Sequence, residues 1–123
     1  MELAREVIKY IRDKAKGAYT VDKRCEICGS SYLLELHHYY TITYLVHNYM
    51  KKLGLKPIDV LLWREAFISA HEKELYEEVA TLCHFHHIDR LHTIYGQSPP
   101  LETAQRQKNW VKIQREKNGK LAI

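Results

Sequence analysis

Twelve residues, Thr81 to His92 (TLCHFHHIDRLH), hold one cysteine and four histidines, His84, His86, His87 and His92. Two upstream stretches can join them: Cys25 and Cys28 in RCEICG, and His37 and His38 in LELHHYY. Thiolates and imidazoles at such spacings are ligands for zinc and related transition metals. There are enough of them for two sites, one structural and one catalytic. Structural zinc wants four N/S ligands in a tetrahedron. Cys25, Cys28 and Cys83 supply three thiolates, and the fourth ligand falls at the start of the helix after Cys83. His86 gives C-x2-H and His87 gives C-x3-H, and either reach is sterically possible. A knuckle joined to a helix start staples two distant segments in the manner of a zinc ribbon or treble clef.

That leaves His37, His38, His92 and one of His86 and His87. The zinc would bring the strand end at 37–38 close to a helix over 84–95. Histidines facing each other across a strand–helix gap outline a hydrolytic metal site of ββα type. Cutting a phosphodiester needs a base to activate water and a cation to neutralise the phosphate and the leaving oxygen. A histidine near its ordinary pKa is a good base. In a strand, Leu34, Leu36 and His38 share one face and Leu33, Glu35 and His37 the other. The adjacent histidines therefore point to opposite sides and suit different tasks.

The elements that must position these groups follow from apolar periodicity. Leu3, Val7 and Ile11, with Ala4, Ile8 and Ala15 beside them, predict an amphipathic helix over 2–16 that stops at Gly17. Its other face carries Arg5, Lys9, Arg12 and Lys16. Residues 32–40 read as a strand and 78–83 as another. Between them, 41–75 reads as a helical hairpin. Leu45, Val46, Tyr49 and Leu53 line its first helix, which Gly54 ends; Ile58, Leu61, Leu62, Ala66 or Glu65, Ile68 or Ser69, and Leu75 line the second. Trp63 and Phe67, four apart, are core packing. His47, Asn48 and His71 read as surface or packing residues. A last helix, 101–117, starts after Ser98-Pro-Pro and has a thin apolar stripe of Trp110, Val111 and Ile113 or Gln114. Its basic faces include Arg106, Lys112 and Arg115, and the tail after Gly119 reads as loose.

At the metal-binding residues the chain resembles the HNH endonucleases, the ββα-metal or His-Me finger nucleases. The matching pattern is C-x2-C, then L-x-L-H-H, then T-L-C-x2-H-H, over about residues 20–95. The resemblance implies an α+β, mostly helical fold: a treble-clef-like core at 20–40 and 77–96 stapled by zinc, a helical insertion at 41–75, and flanking terminal helices, all in one domain. It implies structural zinc on Cys25, Cys28, Cys83 and His86, with His86 standing where the family has its fourth cysteine. His37 and His87 would ligate a catalytic divalent metal, and His38 would be the general base. Glu78 falls where the family has an Asn that orients the base. The family's last helix histidine would fall at Leu91, but here it is His92. On an ideal helix, residues five apart differ by about 140°, so His87 and His92 share one metal only if the helix distorts. His92 is kept as the alternative catalytic ligand. Two imidazoles in place of a carboxylate imply that Mn²⁺, Ni²⁺ or Co²⁺ serves at least as well as Mg²⁺; Zn²⁺ is a further choice.

The chain carries a net charge of +4. Residues 1–24 hold seven Lys/Arg against four acids and 101–123 hold six against two, while the middle is acidic. Two basic ends suit helices that grip a phosphate backbone, with salt-sensitive affinity and little sequence choice. DNA is the expected partner. The charged start is no secretory signal and no apolar run is long enough for a bilayer. Three cysteines, two of them as C-x2-C, point to a reducing compartment, and hence to the cytoplasm, that of the host if phage-encoded. Two other functions fit parts of the pattern: a non-catalytic zinc module binding nucleic acid or protein, which has no need of His37-His38, and a nuclease directed at RNA.

Overall fold

A computed structural model describes the backbone of residues 2–121 and the side chains of residues 5–119; the side chains of the expected apolar positions Leu3 and Ala4, and the whole of the last two residues, lie outside the described part. The elements run α1 (Glu2–Lys16), β1 (Leu34–His38), α2 (Ile42–Leu53), α3 (Val60–Ala70), β2 (Val79–Cys83), α4 (His92–Tyr95) and α5 (Ala104–Leu121). Single 3₁₀ turns at Pro57–Asp59 and Leu101–Thr103 lead into α3 and α5. Two segments, Lys73–Glu77 and Phe85–Leu91, are wound as π-helix. The chain is therefore mostly helical α+β with a two-stranded antiparallel sheet. No helix among the described residues is long and apolar enough to cross a membrane.

One apolar core joins α1, α2 and α3. Val7, Ile8, Ile11 and Ala15 of α1 pack with Ile42, Leu45 and Val46, with Val60, Trp63 and Phe67, and with Leu75. Full burial of a side chain such as Ile11, Phe67 or Leu75 contributes roughly 1.5–3 kcal/mol each. Gly54 closes α2 in the left-handed region (φ 64°) and donates its N–H to Met50.

The second helix of the hairpin presents a different face from the one its leucines suggest. Ile58, Leu61 and Leu62 are 83%, 64% and 85% exposed, and Leu53 of α2 also faces outward. Val60, Trp63 and Phe67 point inward instead. The segment is apolar nearly all round, so two stripes satisfy helical spacing. The aromatic one buries more area, and the Trp63 indole N–H is satisfied by the Lys56 carbonyl at 3.0 Å.

A second core surrounds the sheet and α5: Cys25, Ile27, Tyr39, Ala80, Leu82, Cys83, Leu91, Ala104 and Val111. Tyr40, just past β1, packs against both cores. The strands pair from Leu34 opposite Cys83 to His38 opposite Val79. The Cys25–Gly29 turn is tied to β2, since the Glu26 N–H donates to the Thr81 carbonyl (2.9 Å) and the Asp22 N–H to its hydroxyl (2.9 Å). Gly29, at φ 75°, takes the positive angle that the knuckle needs. The last helix runs on through Gly119 to Leu121, so the chain is helical where a loose tail was expected. Its Gln114 is half-buried beside Val111, while Ile113 is exposed.

Candidate metal centres and active-site cleft

Cys25 and Cys28 from the knuckle, Cys83 from the end of β2 and His86 from the following turn come together in one group that could hold a metal ion. The Cys28 and Cys83 sulfurs are 3.8 Å apart, and Cys83 Sγ lies 3.3 Å from His86 Nδ1. Tetrahedral bonds of about 2.3 Å to sulfur and 2.0 Å to nitrogen produce separations of this size. Burial pushes the Cys28 thiol up to about 11, and the neighbouring Cys25 and Cys83 add to it. Burial works against the Cys25 thiolate, but backbone hydrogen bonds at Cys28, Cys83 and Ile27 outweigh it and hold its pKa below the usual thiol value. Burial also lowers the His86 pKa, which favours the neutral ring a ligand must present.

The second group joins His37 of β1 with His87 and His92. His37 Nδ1 is 3.1 Å from His87 Nε2, and His87 Nε2 is 3.0 Å from His92 Nε2. Nitrogens about 3 Å apart match bonds of about 2.0–2.1 Å meeting near right angles. The π-winding makes this possible. The N–H of His92 bonds the carbonyl of His87, five residues back, instead of one four back. Each such turn takes up one extra residue, so residues five apart stack on one face. His92, which an α-helix would turn away, is thus returned to the same side as His87. His86 faces the thiols and His87 faces His37.

The outward nitrogens of these rings are engaged. His87 Nδ1 meets the Glu35 carboxylate at 2.9 Å and His92 Nδ1 the Gly96 carbonyl at 2.7 Å. His37 Nε2 meets the Gln107 amide oxygen at 2.7 Å. Burial works against the Glu35 carboxylate, but the His84 and His87 hydrogen bonds outweigh it and hold its pKa below the usual range. Carbonyl and carboxylate oxygens only accept, so His87 and His92 carry their protons on Nδ1 and turn lone pairs inward. Burial lowers the His37 pKa to about 3 and also lowers that of His87, keeping both rings neutral. The donor set fits a divalent transition metal.

A cleft of about 500 Å³ opens beside this group. It is lined by His37, His87 and His92, by His38, and by Arg12, Lys16 and Tyr19. β1 ends at this cleft, so both histidines of the pair reach it although they leave opposite faces of the strand. His38 Nε2 donates to the Leu75 carbonyl at 2.9 Å, which leaves Nδ1 free to accept a proton. The Tyr19 ring tilts against His38 with centroids 4.9 Å apart. Burial lowers the His38 pKa and the nearby Arg12 charge lowers it further.

Other expected residues lie elsewhere. The Glu78 carboxylate pairs with Lys73 at 3.8 Å and closely with Lys108, and it does not line the cleft. The contact that orients His38 comes from Leu75. Of the cationic residues singled out, Arg12 and Lys16 border the cleft, whereas Arg5, Lys9, Arg106 and Lys112 are exposed outside its lining. Arg115 pairs with Glu26 at 3.4 Å. His47 and Asn48 are exposed, and His71 stacks on Phe67.

Sequence reasoning missed Glu35 as a partner of His87, although its place on the His37 face of the strand was a usable signal. Gln107 carried no signal, being 70 residues from its partner. No solved structure matches the chain. A family model for phage T5 nicking endonucleases, described as the nicking endonuclease family, matches residues 2–120. With that match over nearly its whole length, the chain belongs to the nicking endonuclease family and is a phosphodiester hydrolase.

Proposed function

We propose that the protein is an HNH-type endonuclease that nicks DNA, with His37, His87 and His92 as ligands of a catalytic divalent metal and His38 as general base. Residues 20–40 and 77–96 would form its treble-clef-like ββα core within a single domain, 41–75 its helical insertion, and Cys25, Cys28, Cys83 and His86 its structural zinc site. The observation that carries this reading is the convergence of three imidazole nitrogens beside His38 in one cleft. Membership in a nuclease family removes the alternative of a non-catalytic zinc module.

The chemistry follows from the contacts. With Nε2–H held by Leu75, His38 presents Nδ1 to a water and takes its proton as the oxygen attacks phosphorus. Its lowered pKa keeps it unprotonated near neutral pH, as a base must be. Arg12 and Lys16, one helical turn apart on α1, would hold the phosphodiester at the cleft. A metal bound by the three histidines would supply the charge that neutralises the phosphate and the departing 3′-oxygen. The resemblance implies 5′-phosphate and 3′-hydroxyl ends. The exposed cations of α1 and α5 would extend the backbone contact.

The test is nicking of supercoiled plasmid with added Mn²⁺ or Mg²⁺, comparing wild type with zinc-loaded, folded His38→Ala. Wild type should open the circle and the variant should be slower by about 10²-fold or more. Equal rates would remove His38 as the base. Cleavage of single-stranded or duplex RNA in place of plasmid would favour the RNA-directed reading.

A further inference from the structure

Gln107 lies in the first turns of α5, and its side chain is fully buried. A primary amide is a costly group to bury, about 1–3 kcal/mol if its hydrogen bonds go unmade. Leu or Met would fill a helix–strand contact more cheaply. Here both ends of the amide are used. Nε2 donates to the Thr103 hydroxyl oxygen at 2.9 Å and to the Tyr39 carbonyl at 3.4 Å. Oε1 faces His37 Nε2 at 2.7 Å.

The orientation of this amide is dictated by its neighbours. The Tyr39 carbonyl can only accept. Thr103 has one hydroxyl proton and gives it to the Pro100 carbonyl at 2.6 Å, so its oxygen also accepts from Gln107. Turning the amide over would set its oxygen against two acceptors. The oxygen is therefore fixed toward His37, and the His37 proton is fixed on Nε2. A neutral imidazole carries one ring proton, so Nδ1 keeps its lone pair, aimed at His87 Nε2.

We propose that Gln107 is a positioning residue for the metal group: it locks His37 in the Nε2–H tautomer, so that the ring's lone pair faces His87 and His92. The relay runs from Pro100 through Thr103 and Gln107 to His37. It makes the amino-terminal turns of α5 part of the nuclease site, in addition to any contact α5 makes with nucleic acid. The inference rests on the reading of His37 as a metal ligand. Outer partners of metal-bound histidines act in this way by fixing the tautomer and the ring angle.

The experiment uses full-length protein holding one zinc per chain and labelled with ¹⁵N-histidine. Long-range ¹H–¹⁵N correlations report the His37 tautomer before a second metal is added, and Mn²⁺ titration then gives the affinity of the histidine site. Wild type should show His37 as Nε2–H. Gln107→Leu should lose that signature and bind Mn²⁺ about 10–100-fold more weakly. Gln107→Glu keeps an acceptor toward His37 and should retain the Nε2–H tautomer, at a cost in stability because its second oxygen meets the Tyr39 carbonyl and the Thr103 oxygen. Thr103→Val removes one of the two acceptors that orient the amide and should shift the tautomer less than Gln107→Leu does, because the Tyr39 carbonyl still receives Nε2.

An unchanged His37 signature in Gln107→Leu would overturn the lock. So would loss of the signature in Gln107→Glu as complete as in Gln107→Leu. Equal Mn²⁺ affinity in wild type and Gln107→Leu would overturn the lock alone. If Mn²⁺ leaves the His37 resonances of wild type untouched, the metal-ligand reading itself fails and the lock has no metal to serve.

Discussion

His87 and His92 are five residues apart, yet their Nε2 atoms lie 3.0 Å from each other. An α-helix would turn them about 140° apart. The hydrogen bond from the His92 N–H to the His87 carbonyl closes a wider turn and brings the two rings to one side. The fifth residue of the spacing is thus absorbed by the backbone, and both rings stay in the group with His37.

Removing one residue from this spacing should therefore be tolerated. Asp89 is exposed and lies inside the π-wound segment. Its deletion should return the segment to an α-helix with the two histidines four apart, again on one face. Plasmid nicking by the deletion variant should stay within about tenfold of wild type, whereas inserting an alanine at the same place should abolish nicking, since another residue rotates His92 by about 100°. Loss of activity in the deletion equal to that in the insertion would count against this role of the π-winding.

Metal preference follows from the donor set. Three imidazoles, with no carboxylate grouped with them among the described residues, favour the later transition metals over magnesium. At equal millimolar concentration, nicking with Mn²⁺, Co²⁺ or Ni²⁺ should be at least as fast as with Mg²⁺. Much faster cleavage with Mg²⁺ would speak for a carboxylate ligand.

Glu78→Gln measures whether this carboxylate serves His38. Its partners are Lys73 and Lys108, and Leu75 supplies the hydrogen bond on His38. Partly exposed ion pairs are worth up to about 1 kcal/mol, so stability should fall by no more than that and nicking should stay within about fivefold of wild type. A loss comparable to that of His38→Ala would return Glu78 to the catalytic group.

The inward face of α3 can be read from stability. Phe67→Ala removes a fully buried ring from the first core and should cost about 3–5 kcal/mol in denaturant unfolding. Leu62→Ala, at a position 85% exposed, should change stability by less than about 0.5 kcal/mol. The reverse order would mean that the leucine face of the hairpin packs inward.

Some of this protein was legible in its sequence because the physics is local. The Cys25 to Gly29 turn, the opposite faces of His37 and His38, the buried line of α1 and the stop at Gly54 each depend on a few neighbouring residues. Strand alternation alone put Glu35 on the His37 side. Other features belong to the tertiary structure. Whether His86 or His87 joins the thiols, and whether His92 joins His87, depends on the winding of a seven-residue segment whose hydrogen bonds can close at four or five residues. The choice between two apolar stripes on α3 was made by the α1–α2 groove and by the carbonyl waiting for the Trp63 indole. Glu78 was lost to two lysines and Leu75 was gained through its backbone, which no side-chain motif can announce. Gln107 meets His37 only because α5 folds back across 70 residues of chain. Spacing selected the residue types able to bind metal and move protons; packing and hydrogen-bond register decided which of them face one another.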